Sequence, residues 1–211
     1  MRVRIRVMAL AVSLLGTVLL SGCEPSGTRG SEQQRRDDLV PLVRPLPLVK
    51  MAEPMVIEFD VPLRPKHASP ALFLGFRVTD QSGLRSYEVR DAIRRAQFST
   101  FVKLQSIAAG RPTDIPLYCI EWVGSDPSKP TTAVVGIDGI VPRLEPGEVD
   151  HGSVNAAGLD GDGSSYRYFE FAWAADISPG RYRLRLQLLD PPTDLTGFQA
   201  ELMVAYARMG K

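Results

Sequence analysis

With 211 residues, the chain has room for one domain or at most two small ones, and its 44% hydrophobic and 23% charged content excludes a disordered, collagenous or multi-span membrane protein. Lys+Arg number 25 and Asp+Glu 24, a formal charge of +1. Three of the arginines and no acid lie in the first 22 residues, so a chain without them carries 22 bases against 24 acids, about −2, and lacks the basic footprint that a nucleic-acid binder needs.

The N-terminus has three parts. Arg2, Arg4 and Arg6 form a positive start, residues 7–20 are an uncharged apolar run, and Leu20-Ser21-Gly22-Cys23 follows directly. An apolar run of this length is too short for a comfortable membrane span and reads as a signal-peptide core. Leu20-Ser21-Gly22-Cys23 resembles the lipobox of bacterial lipoproteins. The resemblance implies acylation of the Cys23 thiol, cleavage before it and anchoring to a membrane by acyl chains. Glu24 follows the cysteine, where Asp is the usual inner-membrane retention residue in enteric-type sorting, so the resemblance favours a periplasm-facing anchor in the outer membrane. With Cys23 lipidated, Cys119 is the one thiol left and no internal disulfide can form. Leu117-Tyr118-Cys119-Ile120 is apolar, which makes Cys119 a buried small hydrophobe rather than a reactive thiol.

Residues 23–54 read as a lipidated tether. Pro41, Pro45, Pro47 and Pro54 favour extended chain. Leu39, Val40, Leu42, Val43, Leu46, Leu48 and Val49 are too apolar for a pure spacer, so part of the segment lies against the domain. The domain itself is placed at 55–211. Residues 55–61 alternate Ile57, Phe59 and Val61 against Glu58 and Asp60, and residues 71–78 form an apolar, Phe-rich strand. Residues 86–97 repeat Val89, Ile93 and Ala96 at helical spacing. Residues 98–107 fit either more helix or a strand. Residues 115–123 form a strand with Tyr118, Ile120 and Trp122 on one face, residues 131–137 are β-branched, and residues 141–163 are loop-like. Residues 166–173 turn Phe169, Phe171 and Trp173 to one side and Tyr166, Tyr168 and Glu170 to the other. Residues 181–188 place Tyr182, Leu184, Leu186 and Leu188 inward and Arg181, Arg183 and Arg185 outward. Residues 198–206 alternate to the end. About seven strands buried on one face argue for a mainly β fold, an Ig-like antiparallel β-sandwich with one inserted helix. The rival is a mixed α/β domain in which residues 98–107 extend the helix.

The run Ile177-Ser178-Pro179-Gly180-Arg181-Tyr182-Arg183-Leu184 resembles the turn-into-strand motif of Ig-like envelope domains. With the Asp190-Pro191-Pro192 break and the last alternating strand, the layout resembles an uncharacterised family of proteobacterial lipoproteins that carry one small β-sandwich after a lipobox. That resemblance implies no known reaction. Some lipoproteins of this design are immunity partners of envelope-targeted toxins, an analogy of fold and not of site.

Chemistry is sparse. Asp150-His151-Gly152-Ser153 sets three triad residue types side by side, but a triad needs them to converge in space beside an oxyanion hole, and no Gly-x-Ser-x-Gly elbow is present. Asp160-Gly161-Asp162-Gly163 lacks the glycine and glutamate spacing of a calcium loop and reads as a turn. No cofactor or metal motif is found. The candidate contact residues for a protein partner are Tyr166, Tyr168, Arg181, Arg183 and Arg185, with the loop 141–163. The expectation is a non-catalytic binding lipoprotein of the envelope, in one form an immunity or inhibitor protein. The alternatives are a structural lipoprotein of an envelope or secretion assembly and a small hydrolase using His151.

Overall fold

A computed structural model describes residues 38–79, 86–96, 98–107, 110–122, 130–160, 166–191, 195 and 198–208. Leu20, Ser21, Gly22 and Cys23, the residues expected to form a lipobox, lie outside them, as does most of the expected Asp-Gly turn after Asp160. The described chain is a mainly β protein of two antiparallel sheets packed face to face, a β-sandwich. The first sheet runs β1 (Leu42–Leu46), β12 (Ala200–Tyr206), β3 (Leu72–Thr79), β10 (Tyr166–Ala174), β6 (Tyr118–Trp122) and β7 (Pro130–Val134), with the short β9 (Glu145–Pro146) beside β10. The second runs β2 (Met55–Val61), β11 (Gly180–Leu188), β4 (Thr100–Ser106) and β5 (Thr113–Asp114), with β8 (Ile140–Val141) beside β4. Among the described residues two helices accompany them, α1 (Ser86–Ala96) and α2 (His151–Ala156).

Period-two alternation builds the core. Leu74, Phe76, Phe169, Leu202 and Val204 of the first sheet meet Phe59, Val102, Leu184 and Leu186 of the second, and α1 adds Val89 and Ile93. The Pro179-Gly180 turn is locked by Tyr182, whose hydroxyl donates to the Ser178 carbonyl at 2.8 Å. The side chain thus closes back on the turn that precedes its strand, in the manner of a tyrosine corner.

Three details depart from the sequence reading or settle what it left open. The sandwich begins before Met55: Leu42–Leu46 pairs with β12 along its whole length, and Val40, Leu42, Leu46 and Leu48 are buried. The prolines are tolerated there because β1 is an edge strand, which has one side without ladder bonds. Residues 98–107 resolve to the strand β4, so the mixed α/β rival falls. On β6 Cys119 is buried, as is Leu117 just before the strand, while Tyr118 and Ile120 share the other, half-buried face, as the alternation in the sequence gives. On β10 the register shifts between Glu170 and Ala172, a bulge that puts Phe171, Ala172 and Ala174 in the interior. Trp173 is thereby turned outward, where it stacks on Tyr118 with ring centroids 6.0 Å apart. Cys119 is 3% exposed, and burial, then the charges of Glu121 and Glu170, push its thiol up from the ordinary range, away from the reactive thiolate.

The first sheet is buried on both faces at its centre. Phe73, Met203 and Ala205 point outward from β3 and β12 and are covered by Val149 and Val154 of the β9–α2 segment. Gly75 lies under this cover. A Cβ there would clash with the Phe169 carbonyl oxygen and sit 2.5 Å from the Phe73 ring. Because one obstacle is backbone of the neighbouring strand, it cannot rotate away. Gly75→Ala is therefore expected to destabilise the domain by about 3 kcal/mol, the upper part of the overpacking range, read as a lower urea midpoint at unchanged m-value. A loss under about 0.5 kcal/mol would contradict the close approach of the Phe169 carbonyl to Gly75.

Every described strand and both clusters lie within residues 38–208, so a chain begun at Glu24 retains all of them.

Candidate binding cleft

The outer face of the first sheet carries the polar side chains of interest. One transverse row runs Glu201 on β12, Arg77 on β3 and Tyr168 on β10, set by the registers Arg77↔Glu201 and Tyr168↔Arg77. Arg77 is 4% exposed, and a buried guanidinium needs every donor engaged. Its Nε donates to Glu201 Oε2 at 2.7 Å, its Nη1 donates to the Leu159 carbonyl, and its guanidinium carbon lies 3.9 Å from the centroid of the Tyr166 ring. Arg77 thus ties three strands and the segment after α2 to Tyr166.

The next row holds Glu170, opposite Gly75 on one side and Glu145 on the other. Glu145 is buried, with its Oε1 2.8 Å from Arg143 Nε. Burial first, then the Glu145 charge, raises the Glu170 carboxyl to about 7.

The α2 segment explains what became of the triad-like run. Asp150 is the N-cap: its Oδ2 accepts from the Ser153 amide at 3.0 Å, while Ser153 Oγ donates to the Asp150 carbonyl at 2.9 Å. Asp150 and Ser153 are thus engaged with each other in the cap. His151 projects to the side, where it meets the Tyr168 ring edge to face at 5.7 Å. The hydrogen bonds Asp150 N to Tyr206 O and Gly147 N to Tyr168 O fix this segment to the ends of β12 and β10.

Between α1, this segment and β10 opens a cleft of about 550 Å³. Tyr87 and Arg90 come from α1, Glu148 and His151 from the β9–α2 segment, Tyr166, Arg167 and Tyr168 from β10, and Arg208 from the end of the chain. Three arginines face one carboxylate. Arg208 contacts that carboxylate, Glu148, at 3.1 Å, and Arg90 pairs with Asp91 at 3.1 Å, both on the surface where such pairs are weak and exchangeable. Tyr168 is half-buried against the outer cluster, and desolvation, then the charge of Asp160, raises its phenol above the usual range.

No family model and no curated protein matches the chain. Among solved structures, one of a protein from Sulfurospirillum deleyianum is similar over 80% of this chain and 98% of its own length, at 9% identity and a TM-score of 0.41.

The sequence-predicted contact residues divide between the two layers. Tyr166 and Tyr168 lie at the cleft with His151, on the first sheet. Arg181, Arg183 and Arg185 lie on the outer face of the second sheet, so the five residues do not form one surface. The arginine stripe is also largely neutralised in register by β2. Arg181 donates to Asp60 at 3.2 Å and to Glu58 at 3.3 Å, and Arg183 donates to Glu58 at 2.9 and 2.6 Å. The Arg183 hydrogen bond holds the Glu58 carboxyl below its ordinary range. Arg185 faces Val56 and Lys103 in the ladder and has no carboxylate partner among the described residues.

Sequence reasoning missed Arg77, Tyr87, Arg90, Glu145 and Arg208. Arg77 left a signal: a charge inside the apolar run Leu-Phe-Leu-Gly-Phe-Arg-Val is tolerated in a strand covered on both faces only when it is paired. The others come together through tertiary placement of α1, β9 and the last residues, for which the sequence carries no local mark.

Proposed function

We propose that this chain is a membrane-anchored bacterial lipoprotein acting as a non-catalytic binding module in the cell envelope, with acyl chains on Cys23 as its anchor and the tyrosine–arginine cleft as its capture surface. The observation that carries the reading is the meeting of Tyr87, Tyr166 and Tyr168 with Arg90, Arg167 and Arg208 around one opening. Tyrosine offers large contact area at low entropic cost, and arginine offers planar donors that match carboxylates. The chemistry favours an acidic, partly apolar segment of a protein partner. A lipid anchor with a leash adds effective concentration at the membrane without any further contact. An immunity or inhibitor protein that caps an envelope-targeted toxin is a specific form of the same reading.

Two measurements test it. Metabolic labelling with an acyl analogue is expected to mark the wild type and not Cys23→Ser; equal labelling removes the anchor. For the cleft, the chain from Glu24 is used as bait on envelope extract. Arg208→Glu and Tyr168→Ala are expected to weaken capture of the partner about 30-fold, the scale of a hot-spot loss, while Arg185→Glu on the other sheet leaves it unchanged. Equal losses at all three positions, or a hydrolytic activity abolished by His151→Ala, would falsify the binder.

A further inference from the structure

The loop from β2 to β3 carries five consecutive exposed residues, Leu63, Arg64, Pro65, Lys66 and His67. Leu63 is 85% exposed, and no acid occurs from Val61 to Ala71. A single exposed leucine is ordinary; two further observations set this one apart. The first is its rigidity. The Tyr206 hydroxyl donates to the Pro62 carbonyl at 3.4 Å, Arg64 Nη1 donates to the Ala68 carbonyl at 3.0 Å, and the Ala68 amide closes a turn on the Pro65 carbonyl. The leucine is held out from a pinned base. The second is continuity with an apolar cleft of about 650 Å³ between β1 and α2, walled by Leu39, Val43, Pro62, Ala156 and Leu159. Leu39 is itself 38% exposed, and the one charged side chain in the walls, Arg44, is paired with Asp38 at 2.9 Å.

The position of this surface argues for its occupant. The Asp38 carbonyl accepts from the Asp60 amide, which places the first described residue beside the base of the loop. The fifteen residues from Cys23 to Asp37 span at most about 50 Å. An acyl anchor on Cys23 therefore keeps this end of the sandwich within about 50 Å of a bilayer, closer on average than the far edge of the domain.

We propose that the β2–β3 loop and the apolar cleft beside it form a membrane-facing foot. Leu63 enters the boundary between headgroups and acyl chains, Arg64 and Lys66 sit on anionic headgroups, and the apolar cleft wall follows Leu63 to the surface. The tyrosine–arginine cleft lies at the opposite end of α2, at His151 rather than Ala156, and stays open to a partner. The orientation rests on the anchoring reading; the affinity of the surface for lipid does not, and is tested without the anchor.

The chain from Glu24, which has no acylatable Cys23, is titrated with phosphatidylglycerol vesicles up to tens of millimolar lipid and its partitioning measured. Lys66→Glu is expected to weaken partitioning about 25-fold, since a basic residue at an anionic surface contributes roughly fivefold and reversal counts twice, and Leu63→Glu at least about fivefold, since it adds one repelled charge and removes the inserted leucine. Val134→Glu, at a 65% exposed valine on the far edge strand β7, is expected to change it less than twofold. Both loop positions are exposed, so these variants fold. Undetectable partitioning, an equal loss from Val134→Glu, or equal binding to phosphatidylcholine vesicles overturns the foot. Acyl labelling of Cys23 reads the anchor separately: a labelled protein whose unanchored chain ignores vesicles loses the foot and keeps the anchor, and an unlabelled protein that binds them does the reverse.

Discussion

Arg77→Ala is expected to destabilise the domain by about 3–5 kcal/mol, the cost of breaking a buried charge pair by removing one partner. The guanidinium is almost wholly buried, its Nε donates to Glu201, its Nη1 reaches the Leu159 carbonyl, and its plane covers Tyr166. Alanine leaves the Leu159 carbonyl and a Glu201 oxygen without this donor and opens a void between β3, β10 and the segment after α2. Glu201→Gln is expected to cost much less, about 1 kcal/mol, because Glu201 is partly exposed and water replaces the lost partner. The difference between the two variants, measured by urea unfolding, identifies burial rather than ion pairing as the origin of the effect. Losses of equal size would contradict it. Tyr166 loses its cover in Arg77→Ala, so partner capture is expected to weaken as well, even in the fraction that remains folded.

The second large effect is on pH dependence. Glu170 holds its proton to about pH 7 because it is half-buried and desolvated beside the Glu145 carboxylate, whereas in the unfolded chain it ionises near the ordinary 4.5. Between those values the native state binds more protons than the unfolded state. Stability from this group is then fully present below about pH 4.5 and is lost as pH rises through 7. Glu170→Gln keeps the shape and the neutral form and removes the titration. It is expected to raise stability at pH 8 by on the order of 2–3 kcal/mol and to leave stability at pH 4.5 within about 0.5 kcal/mol of the wild type. Urea midpoints at the two pH values decide this. A variant less stable than the wild type at pH 8 would mean that Glu170 is ionised in the fold and hydrogen-bonded as such.

Where the sandwich was legible, the cause was one-sided burial. β2 and β11 expose one face and alternate cleanly, and their period-two pattern named the inward residues Phe59, Tyr182, Leu184 and Leu186 correctly. β3 is buried on both faces, which erases alternation; β12 alternates in sequence, and its inward set Ala200, Leu202, Val204 and Tyr206 is buried in the main core. The outward Met203 and Ala205 gave no hint of the α2 cover because α2 has only six residues, too few for a periodic signal, and its cap Asp150-x-x-Ser153 looked like part of a triad. The β10 bulge is equally silent in sequence: one extra residue turns Trp173 outward although Phe169, Phe171 and Trp173 are evenly spaced. The edge strand β1 was hidden by its prolines, which suit a tether and an edge strand alike. Tyr166 and Tyr168 were found because outward tyrosines on a strand are visible in its pattern. The arginines that complete their cleft arrive from α1 and the chain end, and the arginines beside Tyr182 that seemed to extend it belong to the other sheet.

The capture surface is tested most directly by site-specific photo-crosslinking in the intact envelope. A photoreactive residue is placed at Tyr87, then at Arg208, on the two rims of the cleft, and at Arg185 on the outer face of the second sheet. The binding-module account expects one and the same protein adduct from Tyr87 and Arg208 and none from Arg185. Adducts confined to Arg185, or none from either rim while the protein is correctly anchored, would contradict it.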